Sequence, residues 1–306
     1  MRILVFGEAL MDCVAQPDGS LRPFMGGSPF NMARAAALRG AQVRFLNPLS
    51  TDQFGEQMRA QLAHDGVQTD PRFSRLPTSL AVVQITNGQP SYGFYREGIA
   101  DRDYTPDQLL AQLATEAPGI LHTGSLLLVP PEHEKVITVL RGAKALGWTV
   151  SVDVNLRPKL ASDLSAYVTA VHEVIALADW IKASDDDLEL LGFVAPSRSH
   201  AAEVAQHFRA QGCSRIALTF GSQGAYLVVD GQSAQQDVPP VALVDSVGAG
   251  DTFWGNCVAD WALHSAGASQ RVGDTLRQAM CAAAINCTRA GCQPPTLQEV
   301  DMLLKA

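Results

Sequence analysis

The residues best placed to do chemistry lie in one short stretch, Asp245-Ser-Val-Gly-Ala-Gly-Asp-Thr-Phe-Trp254. Apolar residues precede it, and the apolar segment from Phe253 to Leu263 predicts a buried helix behind it. A glycine turn that opens a helix leaves several backbone N–H groups pointing one way, and the helix dipole adds partial positive charge. The stretch therefore predicts an anion site.

One carboxylate, that of Asp251, falls at or next to the first turn of this helix. A carboxylate beside an anion site is unexpected if the site only holds phosphate. It is useful if the carboxylate takes the proton from a hydroxyl group that attacks the phosphate. A helix cap alone would not need the two flanking glycines, so the stretch predicts a general base in phosphoryl transfer.

A second stretch of interest runs from Gly26 to Gly40 and contains Gly-Gly-Ser-Pro-Phe-Asn. Ser28 suits an N-cap, Pro29 the first helical position and Gly40 the C-terminal stop. The paired glycines Gly26 and Gly27 would let a ligand approach the backbone, and Asn31 could both donate and accept hydrogen bonds. A plain turn and packed helix explains Ser28 and Pro29, but it leaves the glycine pair and Asn31 unexplained.

Three further motifs follow predicted strands, and each also has a structural interpretation. Asp153-Val-Asn-Leu-Arg157 reads equally as a surface turn, and Gly221 and Gly224 after Thr219 as a plain hairpin. In Lys182-Ala-Ser-Asp-Asp-Asp187, Ser184 and Asp187 form a capping-box pattern, while a carboxylate there could also help to hold hydrated Mg²⁺. Ligands of open α/β sheets bind beyond the carboxyl ends of the strands, where all three motifs fall.

The order of strands and helices predicts an α/β fold, with a doubly wound and mostly parallel sheet. The first strand is a short apolar run that ends at Gly7, and helices and strands alternate regularly from residue 107 onward. Strands are predicted at 2–7, 42–48, 119–122, 148–153, 179–182 and 214–219, and helices at 29–39, 53–64, 107–115, 131–146, 163–176, 199–210, 253–263, 272–290 and 296–304.

Two segments, 13–25 and 72–101, depart from this alternation. Asp18-Gly19 is a turn signal in the first, and Asn87-Gly88 joins two strand patterns in the second, 80–85 and 91–95. Together they predict a small antiparallel β lid over the site. Tyr92 and Tyr95 in the lid could line a ligand or simply pack within it. No linker-like stretch divides the chain, so we expect one domain over residues 1–306.

Composition narrows the classes of partner. The 306 residues carry a net charge of −8, which argues against a nucleic-acid partner. No apolar run is long enough for a membrane span, and the N-terminus resembles a strand more than a signal peptide. The six cysteines show no C-x-x-C pairing, which favours reduced packing residues in a cytoplasmic protein. Neither the P-loop nor the dinucleotide-binding glycine pattern occurs.

With these residues in place, the chain resembles the ribokinase-like (PfkB) carbohydrate kinases. Asp245-Ser-Val-Gly-Ala-Gly-Asp-Thr-Phe is similar to their C-terminal signature, and Gly26-Gly-Ser-Pro-Phe-Asn-Met-Ala to their N-terminal one. The resemblance spans essentially the whole chain because both signatures occur in the right order and spacing. Within the family, Gly7-Glu8, the 153–157 motif and Tyr92-Gly-Phe-Tyr-Arg-Glu-Gly-Ile-Ala-Asp101 look most like bacterial fructokinases.

The resemblance implies a role for each motif. Asp251 would be the general base, and the amides of Gly248, Ala249 and Gly250 would stabilise the transferred phosphoryl group. The sugar contacts implied by the resemblance are Asp12, Gly26, Gly27, Asn31, Tyr95 and Arg157. The implied ATP contacts are Lys182, Thr219, Gly221, Gly224, Gly250 and Asn286, of which Asn286 would border the adenine. Mg²⁺ would be held at Asp187, and a monovalent cation, usually K⁺, at Asp245 and Val247. The family commonly has Asn-x-x-Glu where this chain has Ser184-Asp-Asp-Asp187, so the carboxylate is shortened and the amide is lost.

The implied activity is ATP-dependent phosphorylation of a sugar's primary hydroxyl, with Mg²⁺, in a fructokinase. Ribokinase, 2-keto-3-deoxygluconate kinase and nucleoside kinase activities stay open, because a few hydroxyl contacts decide between such substrates. So does a non-catalytic sugar- or nucleotide-sensing protein on the same fold, against which the intact Asp251 argues. The resemblance also implies that a homodimer could form through the lid.

Overall fold

The computed structural model describes residues 1–86 and 89–305, and for residues 84–86 and 89–92 it describes the backbone only. The strands are β1 Ile3–Val5, β2 Leu10–Ala15, β3 Leu21–Gly26, β4 Val43–Phe45, β5 Leu49–Ser50, β6 Val67–Thr69, β7 Phe73–Ser74, β8 Ser79–Thr86, β9 Gln89–Tyr95, β10 Ile120–Gly124, β11 Thr149–Asp153, β12 Trp180–Ser184, β13 Arg215–Thr219, β14 Ala225–Val229 and β15 Gln232–Gln236.

The α-helices lie between these strands and, at the C-terminus, follow them. They are α1 Ser28–Leu38, α2 Gln53–His64, α3 Pro106–Ala114, α4 His133–Ala145, α5 Leu164–Ile175, α6 Asp185–Leu190, α7 Ala201–Ala210, α8 Ala249–Leu263, α9 Val272–Asn286 and α10 Leu297–Lys305. None of the helices in the described ranges is long and apolar enough to cross a membrane.

The main sheet has nine strands in the order β15-β14-β13-β12-β11-β10-β1-β4-β6. Every neighbouring pair from β6 to β13 is parallel, and only β13–β14 and β14–β15 are antiparallel. Apolar clusters cover both faces, one including Leu109, Val136 and Tyr167, the other Phe30 and Trp254. The predicted α/β class with a mostly parallel, doubly wound sheet is therefore confirmed.

A separate four-stranded sheet, in the order β3-β2-β8-β9, corresponds to the segments predicted as a lid. The pairs β2–β3 and β8–β9 are antiparallel, as expected, but β2 and β8 run parallel where the two hairpins join. The predicted turn at Asn87-Gly88 lies outside the described residues. The four strands together form the clasp sheet, a name used below for this element.

Differences from the sequence-based expectations are local. Strands β1 and β4 are shorter than predicted, and α9 ends at Asn286 rather than at residue 290. Strand β15 was not expected at all because Gln232–Gln236 has no apolar alternation. The prediction that Ser28 caps α1 was wrong. Gly27 is the N-cap, with φ of 105°, and Ser28 is the first helical residue.

Candidate active site

Helix packing is what brings the two glycine motifs together. A Cβ on Gly255 in α8 would lie 2.8 Å from both the carbonyl oxygen of Met32 and the Cβ of Ala35 in α1. The two helices can therefore approach closely only because glycine and alanine meet at the contact. This close approach puts the first turn of α1 beside the first turn of α8, although the motifs are more than 200 residues apart in sequence.

The carboxylate of Asp251 lies at this junction and is 7% exposed. The Ser28 hydroxyl donates to its Oδ1 at 2.7 Å, and Asn31 Nδ2 donates to its Oδ2 at 2.9 Å. Burial raises the pKa of Asp251, while these two donors and the charges of Lys182 and Arg157 act to lower it. The carboxylate is thus oriented by two donors and kept largely out of water, as suits a base that must accept a proton from a bound hydroxyl.

The turn that opens α8 presents free donors beside Asp251. Gly248 is the N-cap, with φ of 73°, in the left-handed region that favours glycine. The N–H of Ala249 donates to the carbonyl of Ser246 at 3.2 Å. In the described ranges, the N–H groups of Gly248, Gly250 and Asp251 donate to no protein acceptor. The turn therefore has the free amides that an anion site requires.

A buried ion pair lies against this turn. Lys182 Nζ contacts both carboxylate oxygens of Asp153, at 2.9 and 3.1 Å, and both side chains are almost fully buried. A Cβ on Gly250 would lie 3.2 Å from Nζ, so the ammonium group adjoins the α8 turn. Burial raises the pKa of Asp153 to about 7, although Lys182 opposes the shift. The sequence placed Asp153 in a strand-end motif that could equally be a surface turn, because nothing local shows that its partner is one strand away.

Polar side chains also line the crevice between this site and the clasp sheet. Asp12 in β2 has its pKa raised to about 6 by burial, with Arg157 lowering it and Asp251 raising it further. A Cβ on Gly26 would lie 2.2 Å from Asp12 Oδ2, so this glycine makes room for the carboxylate. Gly27 has φ of 105° and a Cβ there would meet the Glu8 carbonyl oxygen at 2.5 Å. Both predicted glycines therefore have a steric reason to be glycine.

Asn31 has one buried atom that the protein leaves unused. Its Nδ2 binds Asp251, but its Oδ1 has no hydrogen-bond partner among the described residues. A buried acceptor without a donor costs free energy, on the order of 1–3 kcal/mol. A ligand hydroxyl that enters the crevice could supply that donor.

Some predicted contact residues lie less close to the centre. Arg157 folds back onto its own loop, where Nη1 contacts the Asn155 side chain at 2.7 Å and two carbonyl oxygens, yet its charge still acts on Asp12. Tyr95 at the end of β9 is 64% exposed. The side chain of Tyr92 lies outside the described residues.

The predicted nucleotide motif follows β13. Thr219 ends that strand, and Gly221, with φ of 51°, has open space where a Cβ would be. Gly224, with φ of 91°, instead packs on the backbone, because a Cβ there would lie 2.0 Å from the Gln236 carbonyl oxygen. Gly221 thus leaves its surface open to a ligand, whereas Gly224 is explained by contact with β15.

The predicted Mg²⁺ residue, Asp187, is already engaged. Its carboxylate accepts from the backbone N–H of Leu156 at 2.6 Å and from the N–H and hydroxyl of Ser184, at 2.8 and 2.7 Å. This is the capping box that the sequence also allowed, and it ties α6 to the loop after β11. These three hydrogen bonds leave the carboxylate little capacity for a direct Mg²⁺ contact, and the described part of the chain contains no cluster of three His, Cys, Asp or Glu side chains suited to a metal.

Two buried groups at the site have contacts that the sequence did not reveal. Glu8, after β1, accepts the Ser28 N–H at 3.2 Å, and burial raises the pKa of its carboxyl. Cys292 packs on the anion-site turn, since a Cβ on Gly248 would lie 2.2 Å from its Sγ. All six cysteines are unpaired. No local signal marks these contacts, because each residue acts through an element that is remote in sequence.

Comparison with known proteins identifies the family. Residues 1–299 match the family described as pfkB family carbohydrate kinase. The chain is 29% identical over 283 residues to a fructokinase of Rhizobium leguminosarum bv. trifolii, covering 91% of this chain and 85% of that protein. It is 32% identical over 321 residues to a fructokinase of Solanum tuberosum, covering 99% and 95%.

Solved structures give the same result for the fold. A fructokinase of Xylella fastidiosa with bound ATP is 28% identical, with a TM-score of 0.84, covering 99% of this chain and 98% of that one. A fructokinase of Vibrio cholerae O395 in a fructose-, ADP- and calcium-bound form is 24% identical, with a TM-score of 0.82, and shares the fold. The resemblance seen in the two signatures is confirmed, and the chain belongs to the pfkB family of carbohydrate kinases.

Proposed function

We propose that this carbohydrate kinase transfers the γ-phosphoryl group of ATP to the primary hydroxyl of D-fructose, giving fructose 6-phosphate and ADP. The observation that carries the proposal is the position of Asp251, which is a buried, doubly hydrogen-bonded carboxylate beside the free amides of a helix N-terminus. The fructokinases among its relatives support fructose as the acceptor, and the ATP-bound structural relative supports ATP as the donor.

In the proposed reaction, Asp251 accepts the proton of the sugar hydroxyl as its oxygen forms a bond to the γ-phosphorus. The bond between that phosphorus and the bridging oxygen breaks in line, and the electron pair leaves with ADP. The turn around Gly248, Ala249 and Gly250 stabilises the charge on the transferred group through its free amides. Lys182, held by Asp153 against this turn, adds a positive charge at the same place.

Mg²⁺ would reach the site with ATP and would supply charge neutralisation on the phosphates. The hydrogen bonds of Asp187 leave it poorly suited as a direct ligand, so Asp187 acts in this proposal by fixing α6 to the loop after β11. Thr219 and Gly221 form the open surface along which the nucleotide lies, with Gly224 holding the turn in place.

The sugar binds in this proposal between α1 and the clasp sheet. Its hydroxyls contact Asp12 and the unused Oδ1 of Asn31, while Gly26 makes room for the Asp12 carboxylate and Gly27 for the backbone at Glu8. The positive charge of Arg157 acts on Asp12 and lowers its pKa, against the effect of burial. Tyr95 is exposed at the end of β9 and would reach the sugar only if the clasp sheet closes as a lid. In this proposal the lid and the main sheet belong to one domain, residues 1–306. Dimer formation through that sheet stays a prediction.

The decisive experiment measures ADP release by a coupled assay with fructose, ribose, 2-keto-3-deoxygluconate and adenosine as acceptors. We expect fructose to give the highest kcat/KM, because sugar kinases discriminate through a few hydroxyl contacts. Faster turnover of ribose or 2-keto-3-deoxygluconate would reassign the substrate within the family. If none of the four is phosphorylated while ATP and sugar still bind, a sensing role replaces the proposed reaction.

A further inference from the structure

A cavity of about 420 Å³ lies between α1, α2, the clasp sheet and the segment 289–294. Its walls include Met11 and Met25, which are cross-strand partners in β2 and β3. Successive side chains of a strand point to opposite faces, so Met11 faces away from the side on which Asp12 lies. None of the described residues that line the cavity belongs to the sugar, nucleotide or phosphoryl positions of the proposed reaction. The cavity is therefore a separate space that the reaction does not use.

Three side chains that line the cavity carry hydrogen-bonding groups that the protein leaves unused. Arg34 is 6% exposed, and its Nη2 donates to no acceptor in the described ranges. Gln57 makes no side-chain hydrogen bond with the residues described, and Oε1 of Gln61 accepts none from them. A side-chain amide both donates and accepts, as a hydroxyl group does. Because Gln57 and Gln61 are one turn apart on α2, they can bind neighbouring hydroxyls of one ligand.

The charged side chains that line the cavity in the described ranges are paired. Arg34 Nε contacts the Asp65 carboxylate at 2.6 Å, and His64 lies against the same carboxylate. Arg289 contacts Glu299. A charged ligand would lose hydration on entering and would meet no unpaired charge of opposite sign. The charges therefore favour a neutral ligand.

The remaining walls are apolar. They include Met11, Met25, Leu38, Pro294 and the ring of Phe24. Small-molecule sites usually enclose about 300–1,000 Å³, with apolar walls and a few polar groups that orient the ligand. A sugar ring carries apolar C–H groups as well as hydroxyls, so it matches both kinds of wall.

We propose that this cavity binds a second neutral monosaccharide, with its hydroxyls on Gln57, Gln61 and Nη2 of Arg34. The choice of D-fructose as the sugar to test rests on the proposed function, whereas the site itself does not. A ligand of about a dozen non-hydrogen atoms in an open cavity should bind with a Kd in the millimolar range.

The cavity adjoins the anion site through the segment 289–294, which forms one of its walls. Nη1 of Arg34 donates to the carbonyl of Cys292 at 3.1 Å, and Sγ of Cys292 packs on Gly248. A sugar on Nη2 of Arg34 thus contacts the same guanidinium group that holds this segment against the turn. We expect the second sugar to change kcat rather than to compete with the first.

The same segment holds the loop that leads into the anion site. Asp245 Oδ2 accepts the N–H of Gly291 at 2.8 Å, and the carbonyl of Val247 accepts Nδ2 of Asn286 at 2.8 Å. The position of the turn therefore depends on the wall of the cavity. The monovalent cation implied at Asp245 and Val247 stays a prediction.

The binding test counts D-fructose bound per chain by equilibrium dialysis without nucleotide. The wild-type protein should bind two, one of them with a millimolar Kd. Gln57→Trp should remove that millimolar event, because the indole would fill the cavity from an exposed position on α2. Gln53→Trp is the matched control, since Gln53 is exposed on the same helix and does not line the cavity. Asp12→Ala should remove only the other event.

The two variants separate this proposal from the proposed function. A single bound sugar that Gln57→Trp leaves unchanged would overturn the second site and leave the reaction standing. A single bound sugar that Gln57→Trp removes and Asp12→Ala does not would support the second site and refute the first. Binding of citrate in place of fructose, lost in Gln57→Trp, would show that the ligand is not neutral. Gln57→Ala removes only the amide and should weaken the second event roughly fivefold, which repeats the test if the tryptophan variant does not fold.

The kinetic test follows ADP release over the fructose concentrations that fill both sites. The wild-type rate should depart from a single hyperbola as the second site fills, and Gln57→Trp should follow a single hyperbola throughout. The control Gln53→Trp should behave as wild type. A single hyperbola for the wild-type protein, with two sugars bound, would contradict the link through Arg34 and Cys292.

Discussion

The substitution Asp251→Asn tests the proposed base with little change in shape. The new amide can still accept from the Ser28 hydroxyl through its oxygen. Its NH₂ would face Nδ2 of Asn31, and we expect Asn31 to turn its amide so that the unused Oδ1 accepts instead. Both contacts at the junction of α1 and α8 can therefore be kept, and the variant should fold.

The expected loss follows from the role of the carboxylate. A positioned general base contributes about 10²- to 10⁴-fold, which corresponds to roughly 3–5 kcal/mol in the activation free energy. We expect kcat to fall by that factor, while KM for ATP changes by less than about threefold. KM for sugar should rise, because the turned Asn31 amide takes its Oδ1 away from the sugar hydroxyl. Because burial raises the pKa of Asp251, the fold disfavours its charged form, and a neutral amide should leave the unfolding midpoint within roughly 5 °C.

The assay is coupled ADP release with saturating ATP and fructose, accompanied by thermal unfolding of each variant. Asp186→Asn is the matched control, because Asp186 is an exposed acid in the first turn of another helix, α6, and should retain full activity. Ser28→Ala should lose far less than Asp251→Asn, since it removes one orienting hydrogen bond and keeps the base. A kcat for Asp251→Asn within about threefold of wild type would refute the base assignment.

Three further predictions concern the rest of the site. Because the raised pKa of Asp12 is about 6, its carboxylate is protonated below that pH, and KM for sugar should rise as pH falls through 6. The variant Asp12→Asn should lose this pH dependence. A wild-type KM for sugar that stays flat between about pH 5 and 8 would contradict the prediction. Lys182→Met should lower the free energy of unfolding, measured with denaturant, by about 3–5 kcal/mol, because it leaves Asp153 buried and unpaired. The double variant with Asp153→Asn should recover much of that loss. Saturating sugar should slow hydrogen exchange in β8 and β9 if the clasp sheet closes, and unchanged exchange there would argue against a lid.

Much of the fold followed from local patterns. The match of α2 to its predicted limits and the alternation of helices and strands after residue 107 reflect apolar periodicity, which is a property of neighbouring residues. Strand β15 was missed because its side chains are polar, and its pairing with β14 depends on the turn between them rather than on its own composition. The N-cap of α1 was misplaced by one residue because the Ser28 hydroxyl bonds to Asp251 and not to its own helix.

The candidate site also combines features that depend on neighbouring residues in the chain with features that depend on tertiary packing. By itself, the sequence determined that glycine turns open two helices, that Asp251 lies in the first turn of one of them, and that polar motifs end several strands, because each of these depends on residues close in the chain. Only the tertiary structure decided which groups face one another. It paired Asp153 with Lys182, tied the carboxylate of Asp187 to the backbone of Leu156, and placed the amide of Asn286 against Val247. A hydrogen bond needs its donor and acceptor atoms to lie about 3 Å apart. At the α1–α8 junction, the packing of Gly255 on α1 sets these distances.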